Sequence, residues 1–505
     1  MAASWAAPRP RTAVAPGDVT GTLPLLPLLA TVLLLAFPLA QVQAGGRGGL
    51  GPADVTSGAL VLVGAAQAVR NRVRPLSVAA AVVIGAPAVA IALATVTAAD
   101  PAAAVPGFVR YLQVFVLVPA AVLLVVRTAR DFRLVIGAFV ALALVQGAIG
   151  VHQYATGTGA SYAGADIRAV GTFGPLDVMG MATVVAYGLL GAAALALGAG
   201  PCRHDGAVRP QGGVRGVRCV QSQGGGSPSY WTYVGDPDNA ASVRDGRRGP
   251  GEMVTTRPSR ADAPRWLRPV AAGAAVLLVV PLALSFSRGS WIATALAVLA
   301  VLLLSGARRA FAVLAVATAA AVVLVGGFGV GSAAMGERLG SITEVTDAPD
   351  RSVTDRYAMW AAAHDMWRGA PVTGVGLKGF PDHRDAHASV GLSSGSDTAG
   401  AGQEFQRQPL LSPHNMYLLI LSEQGLVGAT AFVGSWAALL VGGARRLARG
   451  RGARDVGLAA VALLLWQTVD FLYADIGGPS TVLTGVVLGL AARWALAPLP
   501  EADAA

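Results

Sequence analysis

Two short segments bring together residue types that can act on a phosphate. Ser287-Arg288-Gly289-Ser290-Trp291 puts an arginine, and Ser412-Pro413-His414-Asn415 a histidine, at the expected outer end of an apolar run. An arginine at a membrane boundary costs free energy unless an anion or water accompanies it. Its planar fork of donors matches phosphate oxygens in pairs, so a lipid-linked phosphate is a fitting partner. Arg168, at the end of a different run, offers a second fork. A histidine titrates near about 6.5 when unperturbed, which leaves a neutral imidazole available as a general base.

The elements that must position these residues are membrane spans. Of 505 residues 54% are hydrophobic and only 13% charged, which places the chain among integral membrane proteins. Apolar runs lie near residues 22–40, 55–69, 76–98, 109–126, 134–151 and 176–199, and again near 269–285, 289–305, 310–330, 415–443, 456–474 and 479–497. Most reach the length that a spanning helix needs. The predicted fold is an all-α polytopic membrane protein of about twelve transmembrane helices. It divides into spans one to six (1–199), a disordered cytoplasmic loop (200–268), spans seven to nine (269–330), a long external catalytic loop (331–413) and spans ten to twelve (414–505).

Orientation follows from the arginines, since short cytoplasmic loops collect positive charge. Arg70, Arg72 and Arg74 follow the second run, Arg127, Arg130 and Arg133 the fourth, and Arg308 and Arg309 the eighth. Arg445, Arg446, Arg449, Arg451 and Arg454 follow the tenth. Both termini are then cytoplasmic and the candidate site is external, in a plasma membrane. The net charge of +10 is topology-setting charge and calls for no nucleic acid. Arg446 is one such solvated charge, and its replacement by lysine is expected to do little. Ala40-Gln41-Val42-Gln43-Ala44 resembles a signal cleavage site, but the preceding apolar stretch is longer than a usual signal core, so retention is expected.

Residues 200–268, rich in Gly, Arg, Ser and Pro, read as a solvated inner loop. Cys202, Cys219 and His204 lie there at no metal-site spacing, so no metal is expected. The outer loop holds His364, His383, His387 and His414, four of six histidines. Within it, residues 355–367 predict a helix with Tyr357, Trp360, His364 and Trp367 near one face, which either lies at the bilayer interface or packs on span ends. Gly374-Val375-Gly376-Leu377-Lys378-Gly379 is a glycine-rich turn but no P-loop, because the Ser or Thr after the Gly-Lys pair is missing. The stretch 386–408 reads as mobile.

Each candidate also has a structural alternative. Arg288 either binds phosphate or snorkels to anchor its span, and Arg168 either does the same or pairs with Asp166. His414 either acts as a base or opens a helix, which Ser-Pro-His-Asn also suits. Arg356 either meets phosphate or pairs with Asp350 or Asp355. Glu423 either orients a partner or caps a helix break at Gly425; a continuous helix would put it about 13 Å below His414. Asp470 and Asp475 are boundary carboxylates without an assigned role.

Four motifs in order resemble the O-antigen ligase and polysaccharide polymerase superfamily of multi-span bacterial glycosyltransferases. They are residues 168–175 (Arg-Ala-Val-Gly-Thr-Phe-Gly-Pro), residues 287–291, the stretch from Arg356–Trp360 to Gly369–Gly376, and Pro413–Leu418 with Glu423–Gly428. The resemblance implies transfer of a glycan from undecaprenyl diphosphate to an acceptor hydroxyl on a glycan, lipid or protein, without nucleotide sugar, metal or other cofactor. It implies Arg168, Arg288 and His414 as catalytic residues and Arg356, Trp360 and Glu423 as substrate-binding ones. Direct displacement would invert the anomeric carbon. The long inner loop departs from the family. A transporter or flippase for lipid-linked glycan is the competing class, but the spans carry few midplane charges and no internal repeat. A purely structural membrane protein would leave the four motifs unexplained.

Overall fold

The computed structural model describes residues 23–37, 51–71, 76–162, 165–177, 179–198, 266–306, 351–389, 392, 396–399, 406–408 and 410–497. The ninth expected span, almost all of the loop 200–268 with its cysteines, the 40–44 motif and Arg72, Arg74, Arg308 and Arg309 lie outside these residues.

The chain is a helical membrane protein. Helices α1 (Leu26–Leu33), α2 (Pro52–Asn71), α3 (Val78–Val96), α4 (Pro101–Val125), α5 (Ala129–Thr156) and α6 (Gly180–Gly198) form the first half. Helices α7 (Leu267–Leu284), α8 (Arg288–Ser305), α9 (Arg351–Gly369), α10 (Phe380–His387), α11 (Met416–Ala448), α12 (Arg454–Asp470) and α13 (Thr481–Leu496) follow. Among the described residues eight helices are long and apolar enough to cross a membrane, and Leu23–Ala36 and Thr481–Leu496 are shorter apolar helices. The count of twelve therefore remains an expectation.

Local chemistry sets the helix ends. Ser77 caps α3 by accepting the Ala80 N–H, and Asp100 caps α4, where Pro101 occupies the first turn. Thr128 and Asp131 form a reciprocal capping box on α5. Lipid contact shows in burial: 78% of the apolar window of α6 is buried, against 22% for α2, so α6 runs through the centre. It packs on α5, α7 and α12, and a Cβ on Gly188 would fall 2.2 Å from that of Ala143. In a bilayer such small-residue contacts give helices their close packing.

One end of the bundle is tied by arginines. Arg133 grips Asp455 at 2.6 Å through Nε and 3.1 Å through Nη2. Arg446 lies 4.6 Å over the Trp494 ring and donates to its carbonyl at 2.9 Å. Both are structural partners as well as charges, because a guanidinium can stack and fork at once. Arg446→Lys is thus expected to lower thermal stability by about 0.5–1 kcal/mol, read from a detergent melt, whereas the exposed Arg445 suits a neutral control.

The opposite end carries a feature absent from the all-α expectation. Strands β1 (Ala160–Tyr162), β2 (Ala165–Arg168), β3 (Ser396–Ala399) and β4 (Gln406–Gln408) form an antiparallel sheet in the order β2-β1-β3-β4. Ser161 pairs with Ala399 and Ala160 with Arg168. Part of the stretch read as mobile is therefore strand, paired to a segment more than two hundred positions away, a contact that local composition does not encode.

Candidate functional site

The site is built where four chain segments meet at the sheet end of the bundle. Arg168 closes β2, and the residues after it are clamped by Gln153 of α5. The Gln153 Oε1 accepts the N–H groups of Val170 (3.1 Å) and Gly171 (2.9 Å), and its Nε2 donates to the Gly171 carbonyl at 2.9 Å. The Ala169 N–H reaches the Leu284 carbonyl at 3.2 Å, and Arg168 Nη2 donates to the Phe286 carbonyl at 3.1 Å. Arg168 is thereby held against the turn that leads into Arg288. The Asp166 side chain is not among those described.

Arg288 is the first residue of α8 and is exposed. Ser287 caps the helix by accepting the Ser290 N–H at 3.2 Å, and the Trp291 indole donates back to the Leu282 carbonyl at 2.8 Å. These bonds lock the α7–α8 corner and fix where the guanidinium starts. Gly289 faces Tyr473, in the turn between α12 and α13.

That same turn holds the histidine segment. The Met416 N–H is shared between the Phe471 (2.9 Å) and Ala474 (3.1 Å) carbonyls, and Asn415 Nδ2 donates to Leu472 at 3.1 Å. Asn415 is also the N-cap of α11, accepting from the Leu418 N–H at 3.1 Å. Trp360 of α9 donates its indole N–H to the Pro413 carbonyl at 2.8 Å, so its polar edge positions the residue before His414. Turn 471–474 thus joins the Arg288 corner to the His414 corner.

His414 is half-buried. Burial holds its pKa below the ordinary histidine value; the Asp475 carboxylate pulls it up and the Arg356 guanidinium pushes it down again. Desolvation and a nearby cation both disfavour the imidazolium, while an anion favours it. The neutral form is the dominant one at neutral pH. Arg356 therefore faces His414 electrostatically, which neither sequence alternative for Arg356 includes.

The buried face of α9 carries Asp355, Met359, Ala362, Ala363 and Met366, whereas Tyr357 is 59% exposed. Tyr357 meets Trp360, and His364 meets Trp367, edge to face or tilted. The aromatic stripe therefore flanks the packing face and does not constitute it.

Glu423 sits at a helix break, as one of its two alternatives has it. Gly425 has φ 62° and ψ −159° inside α11. The turn 371–376 fills the gap: Val375 and Gly376 N–H groups reach the Ser422 and Glu423 carbonyls, and the Leu426 and Val427 N–H groups reach Pro371 and Val372. Broken backbone at membrane depth requires such partners. Glu423 is buried, and its Oε1 accepts the Phe380 N–H at 3.3 Å. A Cβ on Gly374, φ 69°, would lie 2.4 Å from the Glu423 carbonyl carbon, which is why the motif needs glycine there.

Only three non-glycine residues among those described have positive φ: Phe286 (50°), Lys378 (64°) and His414 (48°). Phe286 and His414 belong to the two corners above, and Lys378 lies two residues beyond the turn 371–376. Such conformations cost on the order of 1–3 kcal/mol and persist where surrounding contacts impose them, typically at functional sites. No group of three or more metal-ligating side chains occurs among the described residues.

Residues 273–433 match the O-antigen ligase family. That stretch is similar to the O-antigen ligase family. The matched stretch runs from α7 into α11 and contains Arg288, Arg356, Trp360, His414 and Glu423; Arg168 and the turn 471–475 lie outside it. No curated protein matches the chain. Sequence reasoning leaves Asp475 without a role and passes over Tyr473, because neither belongs to a motif, and only the docking of the α12–α13 turn brings them in.

Proposed function

We propose that the protein transfers a glycan from undecaprenyl diphosphate to an acceptor hydroxyl at the external face of the bacterial plasma membrane, most simply as a polysaccharide polymerase. The observation that carries this reading is the single turn, residues 471–474, that binds the Arg288 corner to the His414 corner. Outside the cytoplasm the bond energy must come from a prebuilt lipid diphosphate. Arg288 and Arg168 stabilise the charge that grows on the departing diphosphate, and fixed cations of this kind act without metal. His414 takes the proton of the acceptor hydroxyl as that oxygen attacks the anomeric carbon and the bond to the diphosphate breaks. The displacement inverts the anomeric configuration. Arg356, beside His414, and Glu423, beneath it at the break, bind substrate with Trp360.

The direct test supplies the purified protein with lipid-linked oligosaccharide from its host. Growth of the lipid-linked glycan supports a polymerase, and carrier release only after adding a lipid or protein acceptor supports a ligase. The broken helix at Gly425 favours one second reading, a transporter, since transporters bind at such breaks. Carrier movement across liposomes without release would favour it.

The environment of His414 makes the pH dependence specific. A base must be neutral, so the acid limb of kcat/KM should lie below about 6.5. Arg356→Gln removes a cation that disfavours the imidazolium and should move that limb to higher pH; Asp475→Asn removes the favourable anion and should move it lower. Opposite shifts, or none, would dissociate the limb from His414.

A further inference from the structure

Tyr473 is used by none of the roles above. Its backbone N–H closes the turn on the Asp470 carbonyl at 2.8 Å, and its neighbours Leu472 and Ala474 are hydrogen-bonded to Asn415 and Met416. On the other flank, a Cβ on Gly289 would lie 3.3 Å from the Tyr473 Cβ and 3.4 and 3.5 Å from its ring atoms Cγ and Cδ2. The side chain is half-buried. The ring therefore lies against the residue after Arg288, on a turn whose backbone carbonyls hold Asn415 and Met416, the residues after His414.

In a direct displacement the transferred sugar occupies the gap between the leaving diphosphate and the base. A pyranose presents an apolar C–H face and equatorial hydroxyls, which is the complement of an aromatic ring carrying one polar tip. We propose that Tyr473 is a sugar-binding residue that stacks on the C–H face of the transferred sugar and offers its hydroxyl to a sugar hydroxyl. The assignment rests on the glycan-transfer reading above. Gly289 is the complementary device, since its missing side chain leaves the ring free to lie against the start of α8.

The test compares binding of two probes to the full-length protein in detergent by calorimetry: undecaprenyl diphosphate bearing its sugar, and undecaprenyl diphosphate alone. Tyr473→Ala should weaken the sugar-bearing carrier about three- to tenfold and leave the bare carrier unchanged. Tyr473→Phe should retain most of the difference, since the ring remains. Gly289→Val, which pushes the ring aside, should reproduce the alanine phenotype. Equal loss for both probes would make Tyr473 a structural residue, and unchanged binding of the sugared carrier would overturn the proposal while leaving glycan transfer intact. Wild-type protein that binds neither carrier would overturn both.

Discussion

His414→Ala is expected to remove glycan transfer almost completely while leaving the affinity for undecaprenyl diphosphate nearly unchanged. The reasoning is geometric. The imidazole is half-buried beside Arg356 and Asp475, and burial with the adjacent guanidinium keeps it neutral against the pull of the carboxylate. A positioned base is worth roughly 10²- to 10⁴-fold in rate, so kcat should fall by that factor. Binding should survive, because Asn415 and not His414 caps α11 and Met416 makes the backbone bonds to the 471–474 turn. Alanine keeps the Cβ that makes φ 48° costly, so the backbone strain at this position is unchanged in the variant and does not bias the comparison. Single-turnover rates with a binding isotherm check this, and loss of binding in step with turnover would make His414 a structural residue.

Arg288→Lys is the second large effect. The substitution keeps the charge at the start of α8 and discards the planar fork, so the comparison isolates bidentate recognition. If the guanidinium meets the leaving diphosphate as charge develops, the loss should appear in kcat at about 10²- to 10³-fold. Arg445→Lys, at an exposed position on α11, should be silent in the same assay. Equal behaviour of the two variants would count against diphosphate stabilisation by Arg288. The melting temperature should barely move in either, since the α7–α8 corner is locked by Ser287, Ser290 and Trp291.

Much of the architecture is legible in the residues themselves. Runs of Ala, Val and Leu produce spanning helices because the bilayer admits only internally satisfied backbone, and this requirement is written in local composition. The helix over 355–367 and the break at Gly425 follow from periodicity and from a glycine in an apolar run, both local signals. The partners of those signals are not local. Turn 371–376 seals the break only because tertiary packing brings it against 422–427, and strands 396–399 and 406–408 exist only through pairing that reaches 160–162. Arg446 reads as loop charge until Trp494 is seen beneath it.

The sequence by itself therefore determined the membrane character, nearly all the helices and the arginine and histidine types fit for a lipid-linked phosphate, since hydrophobicity and side-chain chemistry belong to single residues. The tertiary structure alone decided which segments meet. It placed Arg168 on the Phe286 turn, Arg356 and Asp475 about His414, and the 471–474 turn between the Arg288 and His414 corners. Those contacts join positions tens to hundreds of residues apart, and their free energy depends on the packing of whole helices, which no local pattern carries.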